Sequence, residues 1–303
     1  MALRGRIVSQ QKNLYLVDTE EGIVEARLRG TLKRKRDKPW VGDIVTLELI
    51  DRAPLRGIIA ETAERRNLLR RPTIANVDHV LFLVTLVEPK VEPETVDRFL
   101  VCAEELELES TLVFNKTDLL DSSEQASLEE YMAIYRRVGY RCIAASAALG
   151  DGIDAVVEAC RGKVSTMAGP SGVGKSTLLN RLAPGRELKT AEVSARTARG
   201  VHTTTTTALF SLGDNTYVAD TPGFAVIDLP DIDPRDVALC MPELREHVGI
   251  CRFNDCMHRE EPGCAVRELV TKGEIPRSRY EHYLRFCAEL ERRDQLNPTA
   301  RNQ

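Results

Sequence analysis

A chain of 303 residues, 43% hydrophobic and 29% charged with a formal net charge of −4, is long enough for two or three domains with sizeable cores. No apolar run approaches the ~20 residues of a membrane span, and the opening MALRGRIVSQ lacks the apolar core of a secretory signal. These features argue against a membrane helix and set the expectation of a cytoplasmic protein, with nothing that demands more than a monomer.

The charge is uneven. Residues 1–70 carry 15 Lys and Arg against 10 Asp and Glu, and much of the excess sits in TLKRKRDKPW, where Lys33, Arg34, Lys35, Arg36 and Lys38 crowd together. Such a run is either a solvated loop or a contact for a phosphate backbone. Around it RGRIVSQ, NLYLVDT, GIVEARLRG, GDIVTLELI and RGIIAETAE alternate apolar and polar residues and are separated by turn residues. Five short strands with a basic loop predict an OB-fold β-barrel over 1–70, a frequent nucleic-acid platform. Trp40, just after the basic loop, is a stacking candidate or a core or hinge residue.

From 71 to 235 the pattern changes. VDHVLFLVTLV and ESTLVFNKTDLL are near-continuous apolar runs, as in strands buried on both faces. EPETVDRFLVCAEELEL, SLEEYMAIYRRVGY and DGIDAVVEAC have helical character, RCIAASA reads as a strand, and KVSTMAG leads into GPSGVGKST and the helix KSTLLNRLAP. Alternating strands and helices predict a doubly wound α/β sheet.

GPSGVGKS matches G-x-x-x-x-G-K-[ST] between a strand and a helix. Its residues Gly169, Pro170, Ser171, Gly172, Val173 and Gly174 would wrap backbone N–H groups around phosphate oxygens. Lys175 would bridge the β- and γ-phosphates, Ser176 would bind Mg²⁺ and Thr177 would meet the α-phosphate, with the helix dipole adding to the attraction. TYVADTPGF supplies D-x-x-G at a strand end. Asp220 would hold a water on Mg²⁺, and the Gly223 N–H would meet the γ-phosphate. Between them ARGVHTTTTTALF resembles a switch that coordinates Mg²⁺ only when a γ-phosphate is present. Thr204 is the expected ligand, with Thr203 and Thr205 as alternatives, while Thr206 and Thr207 run into a strand.

NKTD supplies the base loop: Asn115, Lys116, Thr117 and Asp118. The Asp118 carboxylate can accept hydrogen bonds from guanine N1–H and the 2-amino group, which adenine does not present there, and the Lys116 stem can lie along the base. A second base loop, Ala145, Ser146 and Ala147, could offer a backbone N–H to guanine O6. In chain order these motifs read base loop, second base loop, phosphate loop, threonine switch, D-x-x-G. Rotating the list restores the usual GTPase order, so the domain is circularly permuted, which is tolerable where domain termini lie close together.

The residue after D-x-x-G is Phe224, where Ras-like enzymes carry a glutamine that orients the attacking water. Unaided hydrolysis should be slow, with a partner completing the site. His202 is either an internal group that positions water or an exposed residue of the switch loop.

From 236 onward CRFNDCMHREEPGC gathers Cys251, Cys256, His258 and Cys264, a donor set suited to one structural zinc ion. A thiol cluster without metal is the alternative. A charged helical tail follows. Cys102, Cys142, Cys160, Cys240 and Cys287 stand singly among apolar residues and read as packing residues.

With NKTD, GPSGVGKST, HTTT and DTPGF in this order, the whole chain resembles the ribosome small subunit-dependent GTPase A family. Val201 departs from the arginine expected before the histidine. The resemblance implies an OB-fold before the permuted α/β P-loop GTPase and an α-rich zinc-binding domain after it, over 1–70, 71–235 and 236–303. It implies the same four zinc ligands, Mg²⁺ with GTP, and GTP hydrolysis stimulated by the small (30S) ribosomal subunit and its 16S rRNA during late subunit maturation. The basic loop and Arg277, Arg279, Arg285, Arg292 and Arg293 are candidate RNA contacts. A GTP-switched module for another RNA or protein is the rival reading, and a P-loop ATPase or small-molecule kinase is opposed by N-K-x-D.

Overall fold

The computed structural model describes residues 2–30, 38–70, 73–185, 207–220 and 228–296. Its strands are β1 (Ala2–Gln11), β2 (Leu14–Thr19), β3 (Gly22–Leu28), β4 (Ile44–Arg52), β5 (Leu55–Thr62), β6 (Leu68–Arg70), β7 (Thr73–Ala75), β8 (His79–Val84), β9 (Glu109–Phe114), β10 (Arg141–Ala144), β11 (Val164–Ala168), β12 (Ala208–Gly213) and β13 (Thr216–Asp220). Two compact units contain them, residues 1–83 with 145–225 and residues 84–144 with 226–303. Among the described residues no helix is long and apolar enough to cross a membrane.

The first unit opens with the expected barrel. Its strands run β1-β2-β3-β5-β4, and β4 closes back on β1. Closure covers the edge of β1 over Ala2–Arg6. Alternation puts Ile7, Val17, Val24, Ala26, Leu47 and Ile59 inside at 0% exposure, each contributing about 1.5–3 kcal/mol for the larger side chains. Gly5 is required where β1 meets β2, since a Cβ there would lie 2.4 Å from Asp18 O.

Asp43 is fully buried and takes a bidentate pair from Arg65, with Nε at 2.9 Å and Nη2 at 2.8 Å. It also accepts the Trp40 N–H at 2.8 Å, so half-buried Trp40 is tied at the base of the basic loop. Lys38 is exposed, and Lys33 to Arg36 lie outside the described residues.

Beyond the barrel the unit continues as β8-β11-β13-β12. β8 and β13 flank β11 in parallel, and every residue of β8 and β11 is buried, as their unbroken apolar runs predict. β12 and β13 form a hairpin whose turn residues Asp214 and Asn215 both have positive φ. β1 pairs with β12 at Ser9 and Ala208, so barrel and sheet are continuous.

The second unit holds the parallel pair β9 and β10, the helices Pro93–Glu105 and Ser122–Arg137, and everything after residue 228. Helix Ser122–Arg137 begins five residues before its apolar periodicity does. Asp121 caps it, accepting from the Ser123 and Glu124 N–H groups in a capping box with Glu124. Helix Arg277–Leu296 buries Tyr283, Phe286, Cys287 and Leu290 against Val237, Met241, Leu244 and Val266.

One expectation for the tail is overturned. Arg279 is 1% exposed and bound to Asp97 and Glu243, and Asp97 also receives His282 Nδ1. Its guanidinium lies over Tyr135 and Tyr140, at 5.5 and 5.6 Å from the ring centres. A buried charge so paired cannot reach RNA; it joins helix Pro93–Glu105 to the tail helix, and removing one partner would leave an uncompensated buried charge. Arg293 is likewise engaged, donating to Leu229 O at 3.0 Å and Pro230 O at 2.8 Å. Periodicity shows which face a helix buries only if arginine is allowed on that face.

Candidate functional site

The phosphate loop leaves β11 at Ala168 and enters helix Lys175–Leu182. Gly169, Gly172 and Gly174 have φ of 130, 86 and 99°, a run that bends the backbone into a cradle. At Gly169 a Cβ would lie 2.7 Å from Leu83 O, so only glycine fits. Val173 is fully buried and anchors the loop from below, while Ser171, Ser176 and Thr177 are exposed above it. Gly174 caps the helix without a side-chain hydrogen bond. First-turn N–H groups therefore face the cradle, as anion sites require. Lys175 Nζ is held over the loop by the carbonyls of Gly169 and Pro170, each at 2.6 Å. Burial lowers its pKa from the ordinary lysine value.

β13 ends at Asp220, parallel to β11 and beside it, so the D-x-x-G strand and the phosphate loop emerge at the same sheet edge. Thr221, Pro222, Gly223 and Phe224 lie outside the described residues, as do Val201, His202, Thr203, Thr204 and Thr205.

The second base loop belongs to the same unit. Ala145, Ser146 and Ala147 are buried. Ser146 N–H donates to Asp151 O at 3.0 Å, Gly150 N–H to Ser146 O at 2.7 Å, and Leu149 N–H to Ser146 Oγ at 3.1 Å, closing a tight turn. Arg181, on the helix that follows the phosphate loop, donates Nε to Ala147 O at 3.0 Å and Nη2 to Ala148 O. Motif reading passed over Arg181, because nothing in the sequence signals which carbonyls a surface arginine will meet.

The first base loop lies in the other unit, at the end of β9. Asn115 is 4% exposed and its N–H meets Val84 O at 2.8 Å. Lys116 takes a left-handed turn, φ 64°, and sends Nζ to Glu88 O at 2.8 Å. The turn starts a short 3₁₀ segment, Thr117–Leu119, on which Asp118 is exposed.

Cys251, Cys256, His258 and Cys264 converge, all four donor atoms lying within 4.8 Å of one another. His258 Nδ1 is 3.5, 3.6 and 3.5 Å from the sulfurs of Cys251, Cys256 and Cys264, and Cys251 Sγ is 3.9 Å from Cys264 Sγ. Zinc–sulfur and zinc–nitrogen bonds of ~2.3 and ~2.0–2.1 Å require tetrahedral edges of about 3.5–3.8 Å. The residues present fit such an ion. Burial lowers the His258 pKa, which keeps the imidazole neutral, and pushes the Cys256 thiol up to about 12, a cost that a bound cation reverses. The His258 N–H points at Cys256 Sγ and the Ala265 N–H at Cys251 Sγ, at 3.4 and 3.3 Å. From helix Arg277–Leu296, Tyr280 and Tyr283 donate hydroxyls to His258 O and Met257 O at 2.6 and 2.8 Å. The singly placed cysteines are half-buried or buried, and burial pushes Cys102 and Cys142 up to about 12.

Comparison with known proteins points to one family. Residues 62–230 match the RsgA GTPase family and residues 4–59 the RsgA N-terminal domain. The small ribosomal subunit biogenesis GTPase RsgA of Moorella thermoacetica is 41% identical over 288 residues, spanning 95% of this chain and 97% of its own. That of Thermotoga petrophila is 42% identical over 289 residues, 95% and 96% of the two chains. Among solved structures, YjeQ from Thermotoga maritima superposes with a TM-score of 0.81 at 39% identity, covering 96% of this chain and 99% of its own. YloQ, a circularly permuted GTPase, gives 0.81 at 30% identity, covering 97% and 96%.

Proposed function

Because the chain belongs to the RsgA GTPase family, we propose that it hydrolyses GTP to GDP and phosphate late in 30S subunit maturation, with the subunit stimulating turnover. The observation that carries this reading is the glycine-built cradle between β11 and helix Lys175–Leu182, with Asp220 at the adjoining strand end. Backbone N–H groups of 171–174 and the Lys175 ammonium take up the charge that develops on the β- and γ-phosphates. Ser176 and Thr204 would hold Mg²⁺ with Asp220 on one of its waters, and the bound ion would neutralise phosphate charge that repels the attacking water, while Thr177 meets the α-phosphate. Gly223 and Thr204 sense the γ-phosphate. With Phe224 in place of a water-orienting glutamine, the ribosomal partner orders the switch or supplies the missing group, and His202 is the internal group nearest the task in sequence.

Asn115, Lys116, Thr117 and Asp118 read guanine, and the loop of Ser146 and Ala147 meets O6. The cysteine and histidine cluster holds one structural zinc, which gives fold and no chemistry of the reaction. The barrel's basic loop and the exposed Arg277, Arg285 and Arg292 contact 16S rRNA. The three segments 1–70, 71–235 and 236–303 then divide RNA grip, nucleotide chemistry and metal-stabilised anchoring in a cytoplasmic monomer.

Asp118→Asn tests the nucleotide assignment. Loss of a charge-assisted acceptor should weaken GTP binding by about 10- to 100-fold. Xanthosine triphosphate, with a carbonyl where guanine has its 2-amino group, should bind the variant better than it binds the parent. Equal weakening toward both nucleotides, or none, would remove Asp118 from base recognition.

A further inference from the structure

Arg181 takes no part in the chemistry above, yet it joins the phosphate-loop helix to the second base loop through two adjacent carbonyls, those of Ala147 and Ala148. In a planar trans peptide the N–H lies opposite the C=O. Holding both carbonyls on the Arg181 side therefore turns the N–H groups of Ala148 and Leu149 away from it. Leu149 N–H runs as this requires, to Ser146 Oγ. The Ser146 and Gly150 N–H groups are already committed within the turn, to Asp151 O and Ser146 O. Arg181 adds a hold from outside the turn on the peptide between Ala147 and Ala148, through the Ala147 carbonyl.

We infer that Arg181 is a positioning residue for guanine recognition, setting the backbone of Ala147 and Ala148 so that the loop discriminates at position 6 of the base. This rests on the reading that the loop meets guanine O6. The role is one of selectivity. Arg181 is exposed and sits well along the helix from Lys175, so its loss leaves the phosphate cradle and the core intact.

The test compares the binding of GDP, 6-thio-GDP and IDP to the full chain and to Arg181→Ala. The thio analogue keeps N1–H and the 2-amino group but offers sulfur, a poorer acceptor, at position 6. IDP lacks only the 2-amino group and reports on Asp118. In Arg181→Ala the preference for GDP over 6-thio-GDP should shrink by about 3- to 10-fold, the worth of one hydrogen bond. The preference for GDP over IDP should stay within about twofold, since losses at separate contacts are nearly independent. Arg181→Lys, which keeps the charge but offers a single donor nitrogen in place of the fork, should fall between. An unchanged position-6 preference in Arg181→Ala, or an equal loss at positions 6 and 2, overturns the positioning role. A parent protein with no preference at position 6 would instead remove the reading of the loop itself.

Discussion

Cys251→Ser or Cys264→Ser should unfold the segment 251–264 and loosen the helix that rests on it. The segment has little else to hold it: Ile250 and Phe253 at its edge are 65% and 41% exposed, and its buried side chains are mostly the ligands themselves. Structural zinc in small domains is worth about 10–16 kcal/mol in apparent binding energy at neutral pH, comparable with the whole stability of an ordinary domain, about 5–15 kcal/mol. Without it, two buried thiols, the half-buried thiol of Cys256 and an imidazole face one another with hydrogen bonds too weak to replace four metal bonds. Tyr280 and Tyr283 would then lose the His258 and Met257 carbonyls that receive their hydroxyls. Metal analysis should find one zinc per chain. Chelation should lower the melting temperature and expose these thiols to a thiol reagent, while Cys160, buried in the first unit, stays protected. A chelated protein with unchanged melting and unreactive thiols would show that packing alone holds the cluster.

Lys175→Ala should reduce GTP turnover by about 10²- to 10³-fold, the scale set by removing one preorganised donor from a charge-developing transition state. The ammonium already sits inside the loop, held by the Gly169 and Pro170 carbonyls at 2.6 Å each, so it needs no large reorganisation to meet phosphate. Because the side chain is partly exposed, the fold should survive and the melting temperature should stay near that of the parent. Single-turnover hydrolysis and nucleotide binding, measured together, separate the two roles. Weaker GTP binding with an unchanged rate on bound nucleotide would assign Lys175 to ground-state binding alone.

How much of this was legible depended on whether local chemistry or remote packing decides a residue's fate. The phosphate loop was readable because its glycines are imposed by backbone geometry, as the clash at Gly169 makes plain. The barrel strands were readable because alternation runs along most of them, broken in β1 where Ile7 and Val8 are both buried at a register shift, and the two buried strands β8 and β11 because their apolar runs are buried throughout. The convergence of three cysteines and a histidine was readable from ligand type alone, although the gaps between its members match no common finger. Arg279 was misread because its partners Asp97 and Glu243 lie 182 and 36 residues away, and no spacing rule connects them. Arg181 was missed for a similar reason, as its acceptors are backbone carbonyls 34 and 33 residues upstream, which carry no side-chain signature. Helix Ser122–Arg137 started early because a capping box, not an apolar stripe, sets its beginning.

The most direct test of the account is GTP hydrolysis by the purified chain, alone, with isolated small ribosomal subunits, and with large subunits as control. The proposed mechanism predicts slow turnover alone, strong acceleration by small subunits and none by large ones, since Phe224 brings no hydrogen-bonding group to the attacking water. Equal rates in all three would contradict it, leaving a GTPase whose nucleotide switch answers to some other RNA or protein.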